Sequence, residues 1–175
     1  YTARTIPKEY GGFGAPPDII KSRIIAEEFA DARVNTGLGG QGISMLVPTL
    51  LEMGTEEQKL ELIKPTIQGE MIWCQGYSEP GAGSDLASLT TRAVLDGDEW
   101  IVNGQKIWTS TAQLADWIFC LVRTETTDIK QEGISFLLID MKTPGIEVKP
   151  IITIDGSHEV NMVYFDNVEV PAENL

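Results

Sequence analysis

The apolar residues of this 175-residue chain change their spacing near Met71, and that change limits the fold more than any single motif does. Before it they recur at the period of a helix. After it they alternate or gather in short runs, which is the spacing of strands. Pro16-Pro17-Asp18 opens a helix, because proline suits a first turn and Asp18 favours the positive end of the helix dipole. Ile20, Ile24, Ile25 and Phe29 follow at helical spacing, with Lys21, Arg23, Glu27 and Glu28 mostly on the other side. Gly37, Gly39 and Gly40 break the pattern. A second helix is predicted from about residue 42 to 53, with Gly54 as its C-cap. A third starts at Thr55, where Gln58 completes a capping box; it carries Leu60 and Ile63, and Pro65 is expected to end or bend it.

Beyond Met71 a strand over 71–77 leads into a glycine-rich loop. Strands over 90–95 and 100–102 are joined by Asp96-Gly97-Asp98, a strong hairpin signal. Asn103-Gly104 reads as a second turn, followed by a strand over 105–109. Further strands are predicted over 117–123, 134–140, 146–152 and 159–165, with Thr143-Pro144-Gly145 turning between two of them. Strands at this spacing without helices between them predict an antiparallel barrel or sandwich. The expected fold class is α+β, with helices over 1–70 and an all-β domain over 71–175.

Charge narrows the possible partners. Acidic residues outnumber basic ones 26 to 13, so the chain repels phosphate backbones and non-specific nucleic-acid binding is not expected. A local pocket of backbone N–H groups can still oppose the global sign and hold an anion. Cys74 and Cys120 have no metal-type spacing and read as small buried hydrophobes in a reducing compartment. No apolar run approaches the roughly 18 residues that cross a bilayer. Tyr1 in place of Met, and a last residue, Leu175, just beyond a strand-like segment, give both ends the look of cuts.

The loop Pro80-Gly81-Ala82-Gly83 lacks the third glycine of a dinucleotide fingerprint and precedes a hairpin rather than a helix, so the Rossmann reading fails. By itself the loop is a tight turn. Its surroundings say more. The run Ser78-Glu79-Pro80-Gly81-Ala82-Gly83-Ser84-Asp85-Leu86 closely resembles a signature of the acyl-CoA dehydrogenases. A second family block follows at the expected distance, Gly97-Asp98-Glu99-Trp100-Ile101-Val102-Asn103-Gly104-Gln105-Lys106-Ile107-Trp108-Thr109-Ser110. Ile6-Pro7-Lys8-Glu9-Tyr10-Gly11-Gly12-Phe13-Gly14 upstream, and Thr143-Pro144-Gly145-Ile146 and Val168-Glu169-Val170-Pro171 downstream, resemble further family segments in the right order.

That resemblance implies an N-terminal helical domain, a middle β-barrel domain and a C-terminal four-helix bundle. This chain is expected to hold the end of the first, nearly all of the second and none of the third. The implied reaction removes a proton alpha to an acyl-CoA thioester while a hydride passes from the beta carbon to FAD, giving a trans-2-enoyl-CoA, as in β-oxidation. By similarity the cofactor-binding residues are Gln75, Gly76, Tyr77, Ser78, Gly83, Ser84, Trp108, Thr109 and Ser110. Tyr77 backbone groups and the Ser78 hydroxyl are expected at the pyrimidine edge of the flavin, Trp108 against its ring and Ser110 near its N5. Ser84 resembles the position that contacts acyl-CoA, while Gly81 and Gly83 admit a close backbone approach. Trp117, with no motif around it, reads as core.

Glu79 is a carboxylate in a ligand loop, yet nothing in the family assigns it a base role, and a structural pairing or local cap is expected. His158, the single histidine, has neither triad nor metal-site context and is expected to be non-catalytic, with a binding contact left open. The family's catalytic glutamate, and much of its grip on the FAD tail, belong to the bundle. The chain alone is therefore expected to be inactive and to hold FAD weakly or not at all. The full-length protein is expected to form a homo- or hetero-oligomer and to pass electrons to an electron-transfer flavoprotein. It is expected in a bacterial cytoplasm, or in the mitochondrial matrix of a eukaryote. The alternatives are a related flavin oxidase or monooxygenase, or a non-catalytic subunit of a heteromeric dehydrogenase.

Overall fold

Asp18 sets the start of the first helix. In the computed structural model of the protein, which describes residues 3–175, Asp18 Oδ1 accepts the Lys21 backbone N–H at 2.9 Å, and α1 runs Ile19–Asp31. Tyr1, and with it the expectation of a cut amino terminus, lies outside the described residues. Arg4 anchors the preceding segment by donating to the Pro16 carbonyl and to Ser22 Oγ. α1 contributes no fully buried residue: Ile25 and Phe29 are half-buried, whereas Ile20 and Ile24 are exposed.

The helix expected over 42–53 is present in two parts, a π-helical stretch Gly42–Leu46 that continues into α2 (Val47–Met53). Gly54 ends it in an extended rather than left-handed conformation. The capping box at Thr55 holds: Thr55 Oγ1 accepts the Gln58 N–H at 3.2 Å and Gln58 Oε1 accepts the Thr55 N–H at 3.1 Å. Pro65 does not end α3, which spans Glu56–Gln68 and stops at the left-handed Gly69. Proline removes one helical N–H, but Leu62, Ile63, Thr66 and Ile67 are buried on both sides of it and hold the last turn in place. Leu46, Val47, Leu50 and Ile63 form the core of this helical unit, which the chain's contacts separate from the rest between Met71 and Ile72.

The second unit is a seven-stranded sheet: β1 (Trp73–Gly76), β2 (Arg92–Asp96), β3 (Glu99–Ser110), β4 (Trp117–Arg123), β5 (Ile134–Asp140), β6 (Ile146–Ile151) and β7 (Val160–Pro171). Helices followed by a β domain is the expected α+β order. The spatial order is β1-β4-β2-β3-β7-β6, with β5 also on β4. Most pairs are antiparallel, but β1 and β2 both meet β4 in parallel. A strand has two edges, and β5 takes one edge of β4 along its whole length. β1 and β2 therefore share the other. β1 leaves it after Gly76, opposite Cys120, and β2 joins it at Arg92, opposite Arg123. Residues 77–91 leave the sheet through the opening between them. Pro150 lies on β6, at the end of the strand order, where a missing N–H is tolerated. Inside, Cys74, Val102, Ile118, Cys120, Ile139 and Val163 pack together, and burial pushes both thiols up, that of Cys120 to about 11.

The turn expected at Asn103-Gly104 is absent, because β3 runs straight through it. Gly104 takes φ 147° to pass Thr91, and a Cβ there would lie 2.6 Å from Thr91 Cα. The pairing of β3 with β7 slips at this point, from Val102↔Val168 to Gly104↔Phe165, leaving one extra residue on β7. Asn167 takes φ 50°, and Asn103 Oδ1 accepts its N–H at 2.9 Å. β7 also extends past the expected 159–165 to Pro171. The Asp96-Gly97-Asp98 hairpin forms as expected, with Gly97 at φ 63° and open space around it.

Gly104→Ala is expected to lower stability by about 2–3 kcal/mol, because backbone rather than a flexible side chain must yield. Gly97→Ala should cost about 1 kcal/mol, for its φ alone. Urea midpoints of the two variants check the difference.

Candidate functional site

A carboxylate buried in a β domain needs partners, and Glu79 has four. Its Oε1 accepts from Lys106 Nζ at 2.8 Å and from the Thr91 N–H at 2.9 Å. Its Oε2 accepts from the Thr90 N–H at 2.6 Å and from Thr90 Oγ1 at 2.8 Å. Lys106 is fully buried and donates also to the Tyr77 carbonyl at 3.2 Å. Burial pushes the Glu79 carboxyl up, but hydrogen bonds from Lys106, Thr91 and Thr90 and the lysine charge outweigh that and hold it at about 2. Glu79 is thus a paired, capping carboxylate. It ties the exit of β1 and the entry of β2 to the middle of β3.

The ion pair brings two groups of the expected site residues together. Gln75 and Gly76 end β1, and Tyr77 and Ser78 follow, half-buried. The Ile107 N–H donates to the Ser78 carbonyl at 2.9 Å, laying this segment beside the end of β3. One residue later the β3–β7 pairing slips again, from Lys106↔Val163 to Thr109↔Asn161, now with the extra residue on β3. Trp108 sits in that bulge at φ 60° and is 58 % exposed. A positive φ is strained for an aromatic residue, so the surrounding contacts must impose it. Thr109 is buried with no partner for its hydroxyl, and Ser110 ends β3 half-buried. At the end of β3 the Thr109 hydroxyl is thus turned inward and the Trp108 indole outward.

Gly83 and Ser84 lie farther along, in the exposed loop. Glu79 and Ala82 exchange backbone hydrogen bonds at its base, and no hydrogen bond among the described residues joins Gly83 or Ser84 to Trp108–Ser110. A Cβ at Gly81 or Gly83 would meet no atom within 4 Å, and neither glycine needs a positive φ. Chain conformation and internal packing therefore do not demand glycine there. Trp117, expected as core, is half-buried against Trp73, with ring centroids 5.5 Å apart. His158 is exposed and hydrogen-bonds through Nε2 to Asn161 at 2.7 Å.

Sequence reasoning missed Lys106, Asn161 and Arg123. Arg123 donates to the carbonyls of Ala87, Leu89 and Lys130, pinning the far end of the loop. The signal for the first two was present: Lys106 and Asn161 are polar residues at inward positions of alternating strands, which is more informative than any exposed polar residue. Among the described residues no three or more His, Cys, Asp or Glu side chains group as a metal site, and no helix is long and apolar enough to cross a membrane.

This arrangement is that of a helical segment followed by a β domain whose third strand ends in an exposed tryptophan. The chain belongs to the acyl-CoA dehydrogenase family: residues 1–70 match its N-terminal domain and residues 74–168 its middle domain. Acyl-CoA dehydrogenase IpdE1 of Mycobacterium tuberculosis is 43% identical over 169 residues, which cover 95% of this chain and 43% of that protein. The ChsE4–ChsE5 complex from Mycobacterium tuberculosis superposes with a TM-score of 0.84 at 39% identity, over 99% of this chain and 44% of the matched one. A glutaryl-CoA dehydrogenase from Mycobacterium smegmatis, solved in complex with FADH2, superposes with a TM-score of 0.75 at 28% identity, over 98% and 43%. The chain spans less than half the length of these relatives.

Removing one partner of the ion pair leaves a buried charge, so Lys106→Met is expected to cost about 3–5 kcal/mol, and Glu79→Gln/Lys106→Met to recover part of that. The folded pKa of Glu79 lies below its ordinary 4.5, so its stabilisation is complete above that pH and is lost as pH falls toward about 2. Denaturant titrations across this window should show a flatter acid limb for Glu79→Gln than for the wild type.

Proposed function

We propose that this chain is the flavin- and acyl-CoA-contacting part of an enzyme that dehydrogenates acyl-CoA thioesters to trans-2-enoyl-CoA. One observation carries the reading: Trp108 is held outward and exposed at a strained bulge, on the strand end that the Ile107–Ser78 hydrogen bond lays beside the exit of β1. A flat, exposed indole with the half-buried Ser78 and Ser110 near its strand end suits an aromatic ring edged with polar atoms, so these residues fit FAD. Bound FAD would accept the hydride from the substrate. Gln75, Gly76, Tyr77 and Ser78 would line one edge of it, Thr109 and Ser110 another, and Trp108 would lie against its ring.

The chain's own part is to bind and orient. The carbonyls of Tyr77 and Ser78 are already taken, by Lys106 Nζ and the Ile107 N–H. The Ser78 hydroxyl has no partner among the described residues and would donate to the flavin. Trp108 would cover one flavin face and exclude water from it. Gly83 and Ser84 would meet the acyl-CoA, and the open space at Gly81 and Gly83 supports a close approach by its thioester arm. Glu79 is withheld from proton transfer by its four hydrogen bonds, so the base for the alpha proton must come from elsewhere in the whole enzyme. Electron-transfer flavoprotein is the proposed acceptor, and assembly as an oligomer is supported by the ChsE4–ChsE5 relative.

The complete polypeptide should purify yellow and bleach when acyl-CoA is added without oxygen. Reoxidation by electron-transfer flavoprotein rather than by oxygen separates a dehydrogenase from an oxidase. A complete polypeptide with no flavin and no bleaching would instead indicate a non-catalytic subunit. The 175-residue chain alone should not turn over acyl-CoA.

A further inference from the structure

We propose that Asn161 is the positioning residue that keeps Trp108 outward, by bonding the Thr109 carbonyl across the β3 bulge while His158 and Gln113 lock its amide. The flavin consequence rests on the reading that Trp108 faces FAD. The brace itself does not.

Asn161 is fully buried on the inward parity of β7, which it shares with Val163 and Phe165, a place where packing alone favours an apolar side chain. Both ends of its amide are engaged. Nδ2 donates to the Thr109 carbonyl at 3.0 Å and to Gln113 Oε1 at 2.6 Å, and Oδ1 lies 2.7 Å from His158 Nε2. A carbonyl and an amide oxygen can only accept, so Nδ2 must point at them and Oδ1 must accept from the histidine. A flipped amide would face two acceptors with an oxygen. The orientation is therefore determined, and the tautomer with it: Nε2 carries the hydrogen. Gln113 is held in turn by its Nε2 donating to the His158 carbonyl at 3.3 Å.

The site braced is the one where β3 changes parity. Val102, Lys106 and Thr109 are buried, so the even-numbered inward run breaks at the extra residue, Trp108. Were the bulge to close, the strand would slip by one, Trp108 would turn inward and Thr109 outward. Asn161 faces Thr109 in the ladder and bonds its backbone on the far side of the extra residue from Lys106. Lys106, fixed by Glu79, holds the near side. The tryptophan is thus clamped open between two buried polar anchors, and Asn161 is the one no other part of the site explains.

The test reads Trp108 directly. Acrylamide quenching of the full chain is measured with and without Trp108→Phe, and the difference isolates this indole. In Asn161→Ala the Trp108 component should lose about half or more of its accessibility, because a one-residue slip exchanges the faces. His158→Ala and Gln113→Leu, both at exposed positions, should shift it in the same direction by less. In the flavin-loaded enzyme the flavin dissociation constant of Asn161→Ala should rise by roughly five- to tenfold, the loss of one aromatic ring contact from Trp108. Should Asn161→Ala fail to fold, the His158 and Gln113 variants decide. Unchanged Trp108 quenching in the folded variants overturns the brace, whatever the flavin does. Altered quenching in a protein that binds no flavin upholds the brace and removes the functional reading instead.

Discussion

The ion pair between Glu79 and Lys106 is the interaction on which the arrangement of the glycine-rich loop and the end of β1 against β3 depends. Neither charge is solvated, so each must be satisfied inside the protein, and together they gather groups from separate parts of the chain: Tyr77, Thr90, Thr91 and β3. A buried pair of this kind contributes little net stability compared with well-packed apolar residues, because desolvation offsets most of the attraction. What it supplies is geometry. The edge of β4 is shared by the end of β1 and the start of β2, and the ladder alone does not say how the intervening loop returns. Glu79 holds both ends of that loop to one strand, and Arg123 pins its far turn.

The second organising feature is the pair of slips between β3 and β7. They have opposite sense, one with its extra residue on β7 and the other on β3, so the strands leave the middle segment in the register with which they entered it. Between the slips, Lys106 faces inward toward Glu79. At the second slip Trp108 is expelled. One bulge could not do both without displacing the rest of the ladder, because each inserted residue reverses every later side chain on its strand. Asn103 braces the first slip and Asn161 the second, each by an amide aimed at backbone.

Much of this was legible beforehand. The helix start at Asp18, the capping box at Thr55, and the strands Trp117–Arg123 and Ile134–Asp140 follow from local chemistry and alternation, and the structure has them at the expected residues. The misreadings share a cause. Asn103-Gly104 has the composition of a turn, and Pro65 that of a helix stop or bend. Neither the turn nor the stop occurs, because local propensity is blind to what lies opposite. Thr91 passing over Gly104 and the buried face around Pro65 overrode it. The site residues were reached through the resemblance of their motifs. The pairings that hold those motifs, of Glu79 with Lys106 and of Asn161 with Thr109, span 27 and 52 residues and leave no periodic trace.

The sequence by itself determined the order of helices and strands, the hairpin at Gly97, the absence of a dinucleotide fold and the place of the glycine-rich loop, because each depends on neighbours within a few residues. Only the tertiary structure decided that the loop leaves a shared strand edge, that Lys106, Thr90 and Thr91 are the partners of Glu79, and that Trp108 stands outward from β3. Those outcomes depend on which distant groups must satisfy one another once water is gone. A buried charge or amide does not choose its partner by sequence separation; it takes the one that the sheet brings within hydrogen-bonding distance.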